Sequence, residues 1–367
     1  MVTVSVVATL AVTGVGVWGV VYHFALPSTN PCSGITTPTS PANSSALPST
    51  PSSAAALLAA AFPEGHPIPE RPSALARGPT SAEALAPSVG PVIQVVAAEN
   101  FWGSLVAQIG GTHVNVTSII TDPNTDPHEY QQNDSVPKAI AHAQYIILNN
   151  VGYDSWASQD VASDGATNQT VLNVGDTLGV SVTGGIVTGN PHLWYNPTYV
   201  NETVAWMYHN LTTIASSLTT YFTAQYDNLT ASLAQNYSLI GEIRHQFAGT
   251  VVASTESIFV YLANATGLDL VSPPAFMEAI AEGNDPPDQS VVTFQCQLES
   301  GHVRVLVFNA QTVTPITTEM QQKALENNVS VLSISETIQP PTVSFQTWME
   351  GELIELYRAL DARQLGQ

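Results

Sequence analysis

A run of about thirty residues ending near Phe247 constrains this chain more than any other stretch. Apolar side chains recur at helical spacing through Tyr221, Tyr226, Leu229, Leu233, Tyr237, Ile240 and Ile243. An unbroken helix of that length, rising 1.5 Å per residue, would be on the order of 45 Å long. That is too long for one small lobe and suits a spine joining two. On each side of it the pattern alternates between buried-strand runs and helical spacing. Before it come strands at 92–98, 113–120 and 145–150, with helices near 101–109 and 135–142. After it come strands at 250–254, 268–271, 303–308 and 329–334, with helices at 257–265, 288–300, 314–327 and 344–365. Such alternation is the signature of parallel α/β layers. The expected fold is therefore α/β: two Rossmann-like lobes with parallel sheets, at 92–215 and 249–367, joined by a backbone helix at 216–248. In the second lobe Asp288 is read as an N-cap after Pro286-Pro287, and Gly301 as a helix stop. Residues 158–189, rich in Gly, Thr and Asp, are read as short strand pieces and a loop.

The first quarter of the chain reads differently. Residues 2–26 are apolar and nearly uncharged, long enough to span a bilayer, and are read as an uncleaved N-terminal anchor, with a cleaved signal as the alternative. Residues 27–91 are rich in Pro, Ser, Ala and Thr without sustained periodicity, so they are read as a tether with one short helix at 54–62. Of the two cysteines, Cys32 falls in this tether and Cys296 in a helix of the second lobe, so a disulfide between them is not expected; lipidation of Cys32 is the alternative weighed. Eight Lys and Arg stand against 29 Asp and Glu, which argues against nucleic acid as a partner, because phosphate binding needs clustered cations. Ten Asn-x-Ser/Thr sequons are spread from Asn43 to Asn328. They are either chance in an Asn-, Ser- and Thr-rich chain or acceptors on an exported protein.

Four metal-ligating side chains each follow a predicted strand. His128 stands in the proline-bounded turn Asp122-Pro-Asn-Thr-Asp-Pro-His-Glu-Tyr130, and His192 in Pro191-His-Leu-Trp-Tyr-Asn-Pro197. Glu256 closes the strand at 250–255, and Glu336 follows that at 329–334. Open α/β sheets place ligands at the carboxyl ends of their strands. Two His with two carboxylates suit Mn²⁺, Fe²⁺ or Zn²⁺. Taken singly, Glu256 and Glu336 would also suit a helix first turn, where the macrodipole favours acids. The other histidines, His23, His66, His113, His142, His209, His245 and His302, are read as surface or core residues. No CxxC pair or HExxH helix is present.

With these motifs in place, the chain from about 92 to 365 resembles the metal-binding solute-binding proteins of zinc- and manganese-type ABC importers, the cluster A-I family. Asp126-Pro-His-Glu-Tyr130 is similar to that family's first ligand motif and Asn190-Pro-His-Leu-Trp-Tyr-Asn-Pro197 to its second. Ser254-Thr-Glu-Ser-Ile-Phe-Val-Tyr261 resembles the third segment and Ile334-Ser-Glu-Thr-Ile338 the fourth. The resemblance implies His128, His192, Glu256 and Glu336 as ligands in an interlobe cleft. It implies delivery to a permease with a cytoplasmic ATPase; capture without catalysis, by a monomer that the anchor and tether hold outside the cytoplasmic membrane, is the expected mode of action. Glu at the third position tilts the metal towards manganese; Glu rather than the usual Asp at the fourth is a departure. A second departure, Asn309 where an acid often stands, is not at a ligand position and receives little weight.

Two rival readings use the same residues. A mononuclear metallohydrolase would need an open coordination position and a general base, for which Glu129 is the one candidate near the motifs. A binder of haem or a siderophore on a similar fold would not need two His and two acids at strand ends. An added role as a surface adhesin has no motif for or against it.

Overall fold

The computed structural model of the protein describes Cys32 and residues 92–164, 168–180, 182–183, 186–187 and 189–362. The anchor expected at 1–26, and the tether apart from Cys32, lie outside the described residues, as do His23 and His66. Among the described residues no helix is long and apolar enough to cross a membrane.

The chain opens with β1 (Ile93–Glu99), whose side chains are buried on both faces apart from Gln94, as a central strand of a parallel sheet requires. It continues through α1 (Asn100–Gly110), β2 (Val114–Ile120), α2 (Ser135–His142), β3 (Tyr145–Leu148), α3 (Ser155–Asp164), β4 (Thr170–Asn173) and α4 (Val174–Thr177). A small hairpin of β5 (Val182–Thr183) and β6 (Ile186–Val187) precedes α5 (Pro197–Ile214). The first sheet has the order β2-β1-β3-β4, all parallel.

After α6 (Thr219–Phe247) come β7 (Val251–Ser254), α7 (Val260–Thr266), β8 (Asp269–Leu270), α8 (Pro274–Ala281), α9 (Asp288–Glu299), β9 (Val305–Asn309), α10 (Pro315–Glu326), β10 (Ser330–Ile334) and α11 (Phe345–Asp361). The second sheet runs β10-β9-β7-β8 and is also parallel throughout.

The 29-residue α6 buries Phe222, Leu229, Leu233, Ile240, Ile243 and Phe247 along one stripe. That stripe packs against α1 and α5 on one side and α7 and α11 on the other. A single hydrophobic core therefore runs from Ile93 in the first lobe to Leu360 in the last helix, and the lobes share it instead of meeting at a wet interface.

Several expectations need correction. Cys32 and Cys296 form a disulfide across 264 residues of sequence, so Cys32 is not available for lipidation. Bridging depends on Cα proximity, not on sequence separation, and the composition around Cys32 carried no information about where that residue sits. Asp288 is the first residue of α9, not its cap; Pro287 takes the cap position without a side-chain hydrogen bond. Residues 155–177 are more regular than their Gly and Asp content suggested, holding α3, β4 and α4. Helix α8 escaped the sequence reading because Pro273-Pro274 reads as a break, yet proline at the first helical position lacks only an N–H that would go unused.

Candidate metal centre

Each of the four singled-out side chains is held by its own loop: those of His128, Glu256 and Glu336 follow β2, β7 and β10, and that of His192 runs from the β5–β6 hairpin into α5. After β2 the chain turns through 121–126, and the Asp126 carboxylate accepts a hydrogen bond from the His128 backbone N–H at 2.9 Å, starting one turn of 3₁₀ helix. In the loop before α5, Asn190 Oδ1 accepts from the His192 backbone N–H at 3.0 Å and lies 2.7 Å from His192 Nδ1. That contact holds the proton on Nδ1 and turns Nε2 inward, the usual way a polar partner orients a ligating imidazole. Glu256 lies two residues beyond β7, where the Ser254 hydroxyl donates to its carbonyl at 2.7 Å. Glu336 lies two residues beyond β10, and its N–H donates to Gln311 Oε1 at 2.7 Å.

The four converge, with one ligand atom from each lying within 4.8 Å of the others. His192 Nε2 is 3.2 Å from Glu256 Oε1 and 3.6 Å from Glu336 Oε1, while His128 Nε2 is 3.9 Å from Glu336 Oε1. His128, with 16% of its side chain exposed, is the one member that reaches solvent; the other three are fully buried. His128 Nε2 is buried without a hydrogen-bond partner, and so, when His192 is neutral as a metal requires, are His192 Nε2 and Glu256 Oε1. Buried polar atoms are satisfied almost everywhere in proteins. Three orphans aimed at one point from two lobes suit a cation.

The electrostatics fit that occupant. Burial alone would push the His192 imidazole down, but Glu256 and Glu336 outweigh it and hold its pKa up at about 9. Burial lowers His128. Burial, with the neighbouring charge of Glu256, raises Glu336, whereas Glu256 is held down by His192 against its own burial. Two neutral imidazoles and two carboxylates carry a charge of about −2, which a divalent ion would neutralise.

Several supporting residues were not singled out in the sequence. Asn309, at the end of β9, is fully buried and donates from Nδ2 to Glu256 Oε2 at 2.7 Å and to Glu336 Oε1 at 2.5 Å. The little weight given to Asn309 was therefore misplaced, because it links both acids. An aspartate there would add a third buried negative charge. The Tyr153 hydroxyl donates to Glu336 Oε2 at 2.9 Å, and its ring stands edge-on to His128 at 4.8 Å. A turn with left-handed Asn150 (φ 62°) and Val151 (φ 57°) places Tyr153. For a β-branched residue this conformation is an outlier, and the Asp154 carboxylate stabilises it by accepting from both the Asn149 and Asn150 N–H groups at 2.7 Å. Gln311 bridges the lobes: its Nε2 donates to Thr125 O at 2.7 Å while Oε1 accepts from Glu336 and Thr337. A cavity of about 590 Å³ lies beside it, lined by Asn124, Asp126, Tyr130, Thr312 and Thr314 among others.

Of the set-aside histidines, His113 packs edge-on to Tyr221 and His142 bonds Lys138 O. Neither these nor His209, His245 and His302 join the cluster.

Two parallel lobes on a shared spine helix, with a His₂Glu₂ cluster between them, define a metal-binding solute receptor. Residues 95–359 match the family model described as zinc-uptake complex component A, periplasmic, and the chain belongs to that family. Among solved structures it is similar to ZnuA, at 16% identity and a TM-score of 0.61 over 73% of this chain and 99% of that one. It is also similar to the periplasmic zinc-binding protein TroA from Treponema pallidum, at 14% identity and a TM-score of 0.62 over the same shares. A cadmium-bound periplasmic metal-binding protein from Candidatus Liberibacter asiaticus has 15% identity and a TM-score of 0.61, again over 73% and 99%. At such identities the likeness establishes the fold. No curated protein matches the sequence.

Proposed function

We propose that this protein captures one divalent transition-metal ion outside the cytoplasm and hands it to an ABC import permease powered by a cytoplasmic ATPase. His128 and His192 would ligate through Nε2 from the first lobe, and Glu256 and Glu336 through carboxylate oxygens from the second. The lobes would be 92–215 and 249–367 with the spine at 216–248, carried as a monomer on the 1–26 anchor and the 27–91 tether. The observation that carries this reading is the convergence of one ligand atom from each of His128, His192, Glu256 and Glu336 to within 4.8 Å, three of these side chains being fully buried. Entry would be from the His128 side, where the cluster meets solvent and the polar cavity lies. Two carboxylates with two imidazoles suit a harder ion than an all-nitrogen set does, which favours Mn²⁺, with Zn²⁺ binding more tightly in simple competition and Fe²⁺ between them.

The test is a competition titration of metal-stripped full-length protein with Mn²⁺ and Zn²⁺, beside the His128→Ala variant. Binding of one equivalent, weakened by about 100-fold or more in the variant, is the expected result. Failure to bind either ion, with identical melting with and without metal, would overturn the reading.

A further inference from the structure

Ten of the chain's 21 asparagines are followed two residues later by Ser or Thr, with no proline between. Ser and Thr together make up 69 of 367 residues, so chance placement would give about four such sequons. Their positions in the fold are not random either. Asn43 lies outside the described residues. Of the other nine, Asn115, Asn133, Asn168, Asn228, Asn264 and Asn328 are exposed, Asn201 and Asn210 are half-buried, and Asn236 is buried.

Four of the exposed ones mark the outer strands. Asn115 is the second residue of β2; Asn168 and Asn328 each stand two residues before β4 and β10; Asn264 stands five before β8. Strands β2 and β4 are the two edges of the first sheet, and β8 and β10 the two edges of the second. Three of the four sheet edges thus have a sequon at the amino end of their strand, and the fourth, β8, has one in the last turn of α7, the helix that leads into it. The metal cluster is at the carboxyl ends. The seven-residue β2 spans roughly 23 Å, so a group on Asn115 stands well clear of the cleft; β4, β10 and β8 are shorter, but their sequons also precede the strand and so lie on the side away from the cluster.

An edge strand exposes unpaired N–H and C=O groups that invite pairing with another chain, and proteins commonly guard it with charged side chains, lysine above all. Here charged residues are only 10% of the chain, with eight Lys and Arg in all. The usual guard is scarce where the sequons are dense. The Cys32–Cys296 disulfide is an independent sign of an oxidising compartment outside the cytoplasm.

We infer that Asn115, Asn168, Asn264 and Asn328 carry N-linked glycans that shield the four sheet edges. The donor class is an oligosaccharide activated on a lipid phosphate. The Asn Nδ2 attacks the anomeric carbon, forming a C–N bond as the C–O bond to the phosphate breaks; the lipid phosphate leaves with the electron pair and Nδ2 loses one proton. Attachment takes place on the extended chain before folding, since Thr266 of the Asn264 sequon is buried in the finished fold. Asn236 is the internal control: its Nδ2 donates to Gln346 O at 3.0 Å between the spine and α11, so folded protein has it bare. The inference rests on the extracytoplasmic placement proposed above but not on metal capture.

The experiment is glycopeptide mass spectrometry on the protein isolated from its own membranes, with a variant carrying Asn→Gln at all four positions made in the same cells. Glycan mass on the four sites, a bare Asn236, and increased self-association of the variant in sedimentation are expected. Bare peptides at the four sites would overturn the inference, and a variant that stays monomeric would overturn the shielding role. Metal titration of the same samples reads capture separately and is expected to be equal for both proteins.

Discussion

Asn309 Nδ2 lies between the carboxylates of Glu256 and Glu336, 2.7 Å from one and 2.5 Å from the other. A neutral donor in that position lets two acids from separate strands approach each other without an ion between them. Replacing it with alanine leaves both without that donor in a buried pocket. The Asn309→Ala protein, metal-free, is expected to lose about 1–3 kcal/mol of stability. Most of that loss should be recovered when metal binds and takes over the carboxylates. Thermal melts with and without Mn²⁺ check this; an equal loss in both would place Asn309 outside the electrostatics of the site.

Gln311 is the side chain that joins the two ligand loops, holding Thr125 O of the first lobe and the N–H groups of Glu336 and Thr337 of the second. Gln311→Ala removes that link, including the bond to the Glu336 backbone, while leaving all four ligand side chains in place. Metal release should accelerate by roughly tenfold, about 1.4 kcal/mol, with little change in the association rate. Stopped-flow chelator competition measures the release. A slower association with unchanged release would argue against a latch.

His192 is held protonated by Glu256 and Glu336, with a pKa of about 9, and a metal must displace that proton. Apparent affinity should therefore rise about tenfold per pH unit from neutral pH up to about 9 and then level off. The metal-free fold follows the opposite trend. A histidine whose folded pKa exceeds its unfolded value of roughly 6.5 contributes stability that is complete below 6.5 and lost as pH rises through 9. Calorimetric titration in two buffers of different ionisation enthalpy counts the released proton, and none released at pH 7 would contradict the argument.

Glu352 on α11 is half-buried, with its carboxylate turned inward; one oxygen accepts from Ser335 and from Trp348 Nε1, and the other is buried without a partner. Burial pushes its pKa up to about 8. A folded state that keeps this proton longer than the unfolded chain is most stable at low pH, and the contribution is lost as pH rises from about 4.5 to 8. Glu352→Gln keeps the accepting oxygen and has no charge to bury. Its melting temperature should decline less than that of the parent across that interval. Parallel declines in metal-free samples would show that Glu352 ionises freely.

The legible parts of the sequence were those with a local physical cause. The period of α6 was readable because a helix must show its buried stripe every three to four residues, and the positions of His128, Glu256 and Glu336 after strands because β-runs end where proline and polar turns begin; His192 was legible from its proline-bounded motif, but it follows a short hairpin and not a strand of the large sheet. Gln311 and Asn190 gave no such signal, since an amide that bridges loops looks the same in sequence as one on the surface. Tyr153 was hidden for a similar reason: its place depends on a left-handed turn at Val151, a residue type that ordinarily argues against one.

The α/β alternation on either side of the spine, the spine itself and the four candidate ligands were therefore legible from local pattern, because periodicity and turn chemistry act over a few residues. Three things were decided by tertiary structure alone: the contact of Asn309 with both carboxylates, the Gln311 bridge, and the Cys32–Cys296 bond across 264 residues. The reason is common to all three. Each joins groups far apart in the chain, and whether such groups meet depends on how whole lobes pack on the shared core, which no short stretch of sequence encodes.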